Sequence, residues 1–519
     1  MSACGRGIGF PQPIDLNMRN ILVLGGGSAG FLTALTLKTR LPEARVTLLR
    51  SKQIGIIGVG EGSVPGLLEF IHGECGIPPA EFYKEVRPTL KAGVHFKWGP
   101  RETFNYPFTE QSTGRAPELP KTNGFYGWDD FTDLDLGSAM MSRGRIFERQ
   151  PDGCPKVLKT VGYHLENEEF VACLERHSIK RGVIIREETV ADVELRAGAE
   201  PWVESLLLED GGKVTADLFL DASGFVSRLL GKTFAEPFIS YRDSLFCDRA
   251  VVGGWARNSE PIHPYTTAET MDAGWCWQIE HENRINRGYV YSSDFISDGE
   301  AEDEFRRKNP KLTSTRIVPF VSGRYERGWV GNVVAIGNAS GFVEPLEATA
   351  MLIICQQAGT LVKILAATDF SPGPEMIASY NRLLGGRWDE VRDFLSIHYR
   401  FNTRLDTIFW KVCRQQVAMH GAERIVDFYQ DCGPMILMAC ELLSPGLSIF
   451  QLEGFFTILI GQKVPFRRSR TISADEMRIW ESVKRRNLEI AEQAMTVEET
   501  LAILHLPEWS WTPGFYNRK

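Results

Sequence analysis

Residues 20–50 read "NILVLGGGSAGFLTALTLKTRLPEARVTLLR". NILVL (20–24) predicts a buried strand, GGGSAG (25–30) follows with no spacer, and FLTALTLKTRL (31–41) carries helical apolar spacing. ARVTLL (44–49) reads as a second strand. A lone GxGxxG says little, but set between a strand and a helix it points to a dinucleotide site. Gly25 serves the tight turn, Gly27 lets a pyrophosphate approach the backbone, and Gly30 lets the helix pack on its strand. Ser28 and Ala29, in the same turn, are further candidate cofactor contacts. The end of the second strand normally carries an acid for the ribose. Here it carries Arg50, which suits a 2′-phosphate, so NADP stands beside FAD on this motif alone.

Two later pieces separate those readings. ADLFLDASGFVSRLL (216–230) is a strand ending in Asp221 and a small-residue turn. WVGNVVAIGNASGFVEPLEATAM (329–351) is another strand and turn, with Gly337, Gly341 and Phe342, and predicts a helix from near Pro345. A nicotinamide domain does not need such late returns to the sheet. A flavin does, because its ring system reaches away from the first motif. Residues 273–297 alternate like sheet strands, and from about 370 the pattern is mostly helical. The expected fold is α/β, a Rossmann-like, flavin monooxygenase-like FAD-binding fold with an inserted mixed sheet and a mostly helical C-terminal substrate module. Its parts are a disordered lead-in (1–19), an FAD-binding module (20–370, with inserted sheet segments about 100–160 and 240–325) and a helical module (371–519).

Composition narrows the class further. The 519 residues are 43% hydrophobic and carry a net charge of −8, which argues against a nucleic-acid surface. Ten scattered cysteines form no CxxC pair, and no Cys/His cluster has zinc-ligand spacing. This predicts reduced thiols in a cytoplasmic protein with no metal. The longest apolar run, 350–367, is interrupted by two glutamines and a lysine, and fits a buried helix better than a membrane span.

One lysine stands out. In RPTLKAGVHF (87–96), Ala92, Val94 and Phe96 alternate with Lys91, Gly93 and His95, so Lys91 is expected on one strand face with Gly93 and His95. By pattern alone it is a surface lysine, since lysine is seldom buried unless paired or functional.

These pieces, in order, resemble the flavin-dependent halogenases of the tryptophan-halogenase type. The motifs that carry the resemblance are GGGSAG (25–30), GVGEGSVP (58–65), TLKAGVHFKW (89–98), GYHLENEEF (162–170), DLFLDASGF (217–225), GWCWQI (274–279), GYVYSS (288–293), GNASGFVEPLEATA (337–350) and RDFLSIHYRFNTRLDTIFW (392–410). The resemblance implies that reduced FAD and O2 oxidise chloride or bromide to hypohalous acid. The acid then passes through a tunnel to a lysine, here Lys91, and an electron-rich aromatic carbon attacks the halogen. Glu347 is the implied partner acid. Glu344, and a mere capping role for Glu347 in a helix first turn, stand as alternatives. The implied halide site is the backbone amides of Thr349 and Ala350, where Ala350 replaces the family's glycine. Trp275 and Trp277 are expected to line the tunnel, with packing as the competing role, and Glu280 replaces a proline after them. Gly58, Gly60 and Gly62 match a flexible strap over the flavin.

The substrate is less legible. Phe104, Asn105 and Tyr106 stand where tryptophan-using members have a histidine–phenylalanine pair. SIFQLEGFFTILIG (448–461) has no tyrosine pair to grip an amino acid. Phe104, Phe450, Phe455 and Phe456 suggest an apolar pocket for a small indole-like aromatic, with a carrier-bound substrate as the alternative. No second GxGxxG is visible, so reduced FAD is expected from a separate flavin reductase. A homodimer is left open. The competing activity is hydroxylation of an aromatic by the same fold; a flavin-binding protein without catalysis is the rival from another class.

Overall fold

In the computed structural model, Asn20–Leu24 is a strand with four of its five residues buried, and the helix Ser28–Arg40 follows it directly. The structure describes residues 17–51, 60–109, 133–198, 200–435, 449–467, 473–512 and 514–516, with single positions at 53, 55, 439, 441 and 443. The lead-in expected over 1–19 lies mostly outside the described residues, as does Gly58.

Asn20–Leu24 is central in a six-stranded sheet. The spatial order is Trp329–Val330, Val333–Ala335, Leu218–Asp221, Asn20–Leu24, Arg45–Arg50, Ile184–Glu187. All neighbours are parallel except the first pair. Ile21 pairs with Leu218, and Phe219 with Val333, so both late segments return to the sheet beside the glycine turn. Their unbroken apolar character follows from burial on both faces. The Ser28–Arg40 helix packs against Asn167–Lys180 and Ala350–Ala367. By length and composition Ala350–Ala367 could cross a bilayer. Here it packs against Ser28–Arg40 on one side and the long helix Pro374–Phe401 on the other.

The inserted sheet has seven strands, in the order Thr315–Pro319, Arg249–Ala256, Arg284–Tyr291, Gly274–Glu280, Tyr265–Met271, Gly93–Lys97, Phe104–Pro107. The expected sheet segment over about 100–160 is corrected. Its described residues contribute one strand, 104–107, then the helix Leu136–Ser142, which starts where the Asp135 carboxylate accepts from the Ser138 N–H.

The strand expected over 87–96 is also broken. Thr89–Lys91 joins a small sheet with Gly162–Leu165 and Glu61–Gly62, while Gly93–Lys97 joins the seven-stranded sheet. Ala92 is the joint; its N–H donates to the Pro264 carbonyl and its own carbonyl accepts from Phe108. Lys91 and His95 therefore belong to different sheets. His95 bonds Asn105 and stacks on Tyr265.

The helices Ile408–Gln416, Ala422–Cys432 and Gln451–Gly461 pack on Pro374–Phe401, while Ala474–Gln493 packs on Leu136–Ser142. Phe394, Tyr399 and Phe455 share one buried cluster with Trp98 and Trp275 of the seven-stranded sheet region. The helical part and that sheet thus bury their apolar faces on each other.

Candidate active site

The glycine turn has the geometry that its spacing asks for. Gly25 has φ +126°, and a Cβ on it would lie 2.2 Å from the Ala222 carbonyl. A Cβ on Gly30 would lie 1.9 Å from the Gly25 oxygen, so helix and strand can approach only because neither residue has a side chain. Gly27 faces open space and caps Ser28–Arg40 without a side-chain bond, and the helix's first turn holds no acid. Its N–H groups are left for an anion. Gly337 (φ +62°) turns in beside this helix start, where a Cβ would sit 3.1 Å from that of Ala29. This cradle fits a dinucleotide pyrophosphate.

Other expected cofactor residues are placed differently. The Arg50 guanidinium bonds both oxygens of Glu175, at 2.8 and 2.9 Å, and Glu187 at 2.9 Å. These carboxylates engage the donors that a 2′-phosphate would need, so the arginine has a role without NADP. Asp221 is fully buried and points inward. It accepts from the Ser223 N–H and hydroxyl and from the Leu229 and Leu230 N–H groups, so it caps the next helical turn. Gly341 is required by strand pairing, since a Cβ there would lie 2.9 Å from both the Gly323 carbonyl and the Arg324 Cβ. Phe342 packs edge-on to Phe225 and Phe320. Gly60 (φ +72°) is wedged against His281 and Asn286.

Lys91 is wholly buried, and among the described residues its Nζ has no hydrogen-bond partner. It lies 5.3 Å from the centre of the Phe108 ring. A methyl group on Gly62 would be 3.3 Å from Nζ, 3.2 Å from the Thr266 hydroxyl and 3.6 Å from the Ala348 Cβ, so these groups converge over Gly62. Burial pushes the Lys91 ammonium down to about 8, and the Glu347 carboxylate pulls it partly back.

Glu347 is not in a helix first turn. Pro345–Ala348 forms a tight turn closed by the Ala348 N–H on the Pro345 carbonyl, and the helix begins at Ala350 rather than near Pro345. The capping alternative therefore falls. Ala348 has φ +56°, a left-handed conformation that costs a non-glycine residue about 1–2 kcal/mol. Ala350 is the first residue of that helix, with no positive φ. Thr349 caps the helix without a side-chain bond and no acid lies in its first turn, leaving amides for an anion.

The structure adds two residues that the sequence reading passed over. His398 Nε2 is 2.9 Å from Glu347 Oε1, and the neighbouring Tyr399 hydroxyl donates to Glu344. Consecutive residues of Pro374–Phe401 thus grip Glu347 in the turn and Glu344 just before it. Their pattern in the sequence is simply that of a buried helix face. Glu344 is pushed up to about 7 by burial, with Tyr399, Trp275 and Cys247 holding it down. Trp275 is buried beside it, and Trp277 lies over Gly288, where a Cβ would meet its ring at 2.0 Å. Glu280 forms a buried ion pair with Arg257, and its carbonyl accepts from Thr89 on the lysine strand, which accounts for an acid at that position.

The aromatic set divides. Phe104 stacks on Phe96 at 5.0 Å, and Phe96 contacts the His398 ring at 5.4 Å. Phe455 meets Phe394 edge-on, and Phe450 stacks on Phe394. Phe456, expected at the substrate site, instead packs against Phe428 and Tyr429 of the helix Ala422–Cys432. Asn105 is held by His95, the Ser138 carbonyl and the Ser142 hydroxyl, so its amide is committed to structure.

The sequence profile of the tryptophan halogenases matches residues 20–476. The tryptophan 7-halogenase RebH of Lentzea aerocolonigenes is 31% identical over 442 residues, covering 79% of this chain and 81% of that one. The crystal structure of MibH, a lathipeptide tryptophan 5-halogenase, superposes with a TM-score of 0.84 at 36% identity, covering 96% of each chain. BrvH, a flavin-dependent halogenase from Brevundimonas sp. BAL3, superposes with a TM-score of 0.81 at 25% identity, over 94% of this chain and 100% of that one.

Proposed function

This chain belongs to the tryptophan halogenase family, flavin-dependent oxidoreductases, and we propose that it is a two-component FAD halogenase acting on an indole ring. The observation that carries the reading is the fully buried, hydrogen-bond-free Lys91 amine beside the Glu347 turn. The cradle of residues 25–30 and Gly337 would hold the pyrophosphate of FAD, delivered reduced by a separate flavin reductase. When bound, the flavin supplies with O2 the oxidising power that turns chloride or bromide into hypohalous acid. The amides of Thr349 and Ala350 hold the halide.

Lys91 receives the oxidant. As an ammonium it donates to the oxygen and polarises the O–halogen bond. As a neutral amine it exchanges one N–H for N–halogen and releases water. The indole carbon then takes the halogen as the O–halogen or N–halogen bond breaks. The departing oxygen or nitrogen keeps the electron pair and is protonated to water or amine, and Glu347 takes the displaced ring proton. Trp275 and Trp277 wall the passage and keep water out. Phe104 and Phe455 form the apolar side of the indole site, with the helical segment 371–519 as its outer wall. We place the enzyme in the cytoplasm. The hydroxylating alternative is not favoured, because the family matched over residues 20–476 is one of halogenases. Similarity to MibH over nearly the whole chain makes a peptide-borne tryptophan the second substrate to test.

The test combines purified protein, FAD, a flavin reductase, NADH and O2 with indole, tryptophan and a tryptophan-containing peptide. Chloride and bromide are run separately, and products are read by halogen isotope pattern in mass spectrometry. Halo-indole product from the wild type and none from Lys91→Ala is expected. Hydroxylated product would overturn the reading, and so would equal product from both proteins.

A further inference from the structure

We infer that His398, not Lys91, is the principal charge partner of Glu347, and that this pairing leaves the Lys91 ammonium easy to deprotonate. The inference rests on the halogenase reading for its catalytic meaning, but its geometry does not.

His398 is fully buried, and both ring nitrogens are engaged. Nδ1 lies 2.9 Å from the Phe394 carbonyl, which can only accept, so Nδ1 carries a proton. Nε2 lies 2.9 Å from Glu347 Oε1, and one further proton must lie between them. If it sits on nitrogen, the pair is imidazolium and carboxylate; if on oxygen, imidazole and carboxylic acid. In either placement the pair as a whole is uncharged. The apolar rings of Phe96, Trp98 and Phe394 surround His398 and exclude water from the contact.

Lys91 therefore faces an acid whose charge is shared with His398. Burial dominates at Lys91, and Glu347 offsets it only partly. The remaining titratable groups here do not replace His398. His164, from the strand beside Lys91, is held uncharged by burial and by Lys91 itself, and bonds Thr89 and Thr266. Tyr106 faces Glu347, Glu453 and Glu390, and burial keeps its phenol protonated. Glu344 is bound by Tyr399. His398 is thus a positioning residue: it fixes Glu347 Oε1, leaves Oε2 for the ring proton, and screens the carboxylate's charge from the lysine. Were Lys91 the counter-ion, its midpoint would be held higher and the neutral fraction that acts as a nucleophile would shrink.

The experiment reads Lys91 directly, in resting protein without substrate or reductase. Protein labelled with 13Cε-lysine is titrated by NMR from pH 6 to 11, with the Lys91 signal identified by its loss in Lys91→Met. The wild-type midpoint is expected near 8. His398→Asn keeps a donor near Phe394, and His398→Gln keeps one near Glu347. Both lose the compensating charge, so both should move the midpoint up by about one pH unit or more. Adding Glu347→Gln to either should return it. Glu347→Gln alone should lower the midpoint by less than the His398 variants raise it, since His398 already offsets most of the carboxylate's charge. A wild-type midpoint near 10.5, no movement in either His398 variant, or a fall in Glu347→Gln alone larger than the rise in the His398 variants would overturn the inference. Because no turnover is needed, a protein that fails the halogenation assay yet shows these shifts refutes the function and leaves the pairing standing.

Discussion

Replacing Lys91 by methionine is expected to stabilise the protein at neutral pH while abolishing its chemistry. The side chain is wholly buried, so solvent does not screen the effect. In the unfolded chain the lysine titrates near 10.5, and in the fold near 8. At about 1.4 kcal/mol per pH unit, the fold carries a penalty of roughly 3 kcal/mol for holding the ammonium. The sign follows from which state binds the proton. Below about pH 8 both states are protonated and the penalty is complete. Between about 8 and 10.5 the folded state has released its proton while the unfolded state has not, so stability rises with pH. Above 10.5 both are neutral and the penalty is gone. Methionine has a similar length and no charge, so Lys91→Met should gain about 3 kcal/mol at pH 7 and less than about 1 kcal/mol at pH 10.5. Urea unfolding followed by tryptophan fluorescence at the two pH values measures both numbers. A variant less stable than wild type at pH 7, or a gain independent of pH, would refute a buried, destabilised lysine. So would retained halogenation by the variant.

Three further outcomes follow from the same geometry. Gly30→Ala should cost about 1–3 kcal/mol or more and abolish flavin binding, because its methyl would fall 1.9 Å from the Gly25 oxygen; fluorescence titration with FAD checks it. Asp221→Asn should cost about 2 kcal/mol, because four donors lose a carboxylate acceptor, while the variant that remains folded binds FAD within about 3-fold of wild type; thermal unfolding beside the same titration separates the two. Arg50→Ala should cost about 1 kcal/mol or less and change FAD affinity less than about 3-fold, since its partly exposed donors serve Glu175 and Glu187; a tenfold loss of affinity would place the guanidinium on the cofactor after all.

Local chemistry made the nucleotide end legible without coordinates. The requirement for glycine at 30 arises within one turn, from the Gly25 oxygen five residues back, and that at 25 partly from its own φ of +126°, so spacing expressed both even though Gly25 also abuts the distant Ala222 carbonyl. The parallel sheet could be read for a similar reason, because strands buried on both faces must be apolar throughout. Lys91 and Glu347 carried no such mark. Their identity as a pair came from resemblance to a family, while strand alternation put Lys91 on a face with His95. Only the break at Ala92 sends the two into different sheets. Tertiary structure alone decided that Pro345–Ala348 is a turn rather than a helix start, that Asp221 caps inward, and that Arg50 is neutralised by acids 125 and 137 residues away. His398 and Tyr399 are the clearest case. In sequence they are two residues of a long amphipathic helix, indistinguishable from core. What makes them functional candidates is a contact made 51 and 55 residues back along the chain, and no local pattern encodes a partner that only packing brings within reach.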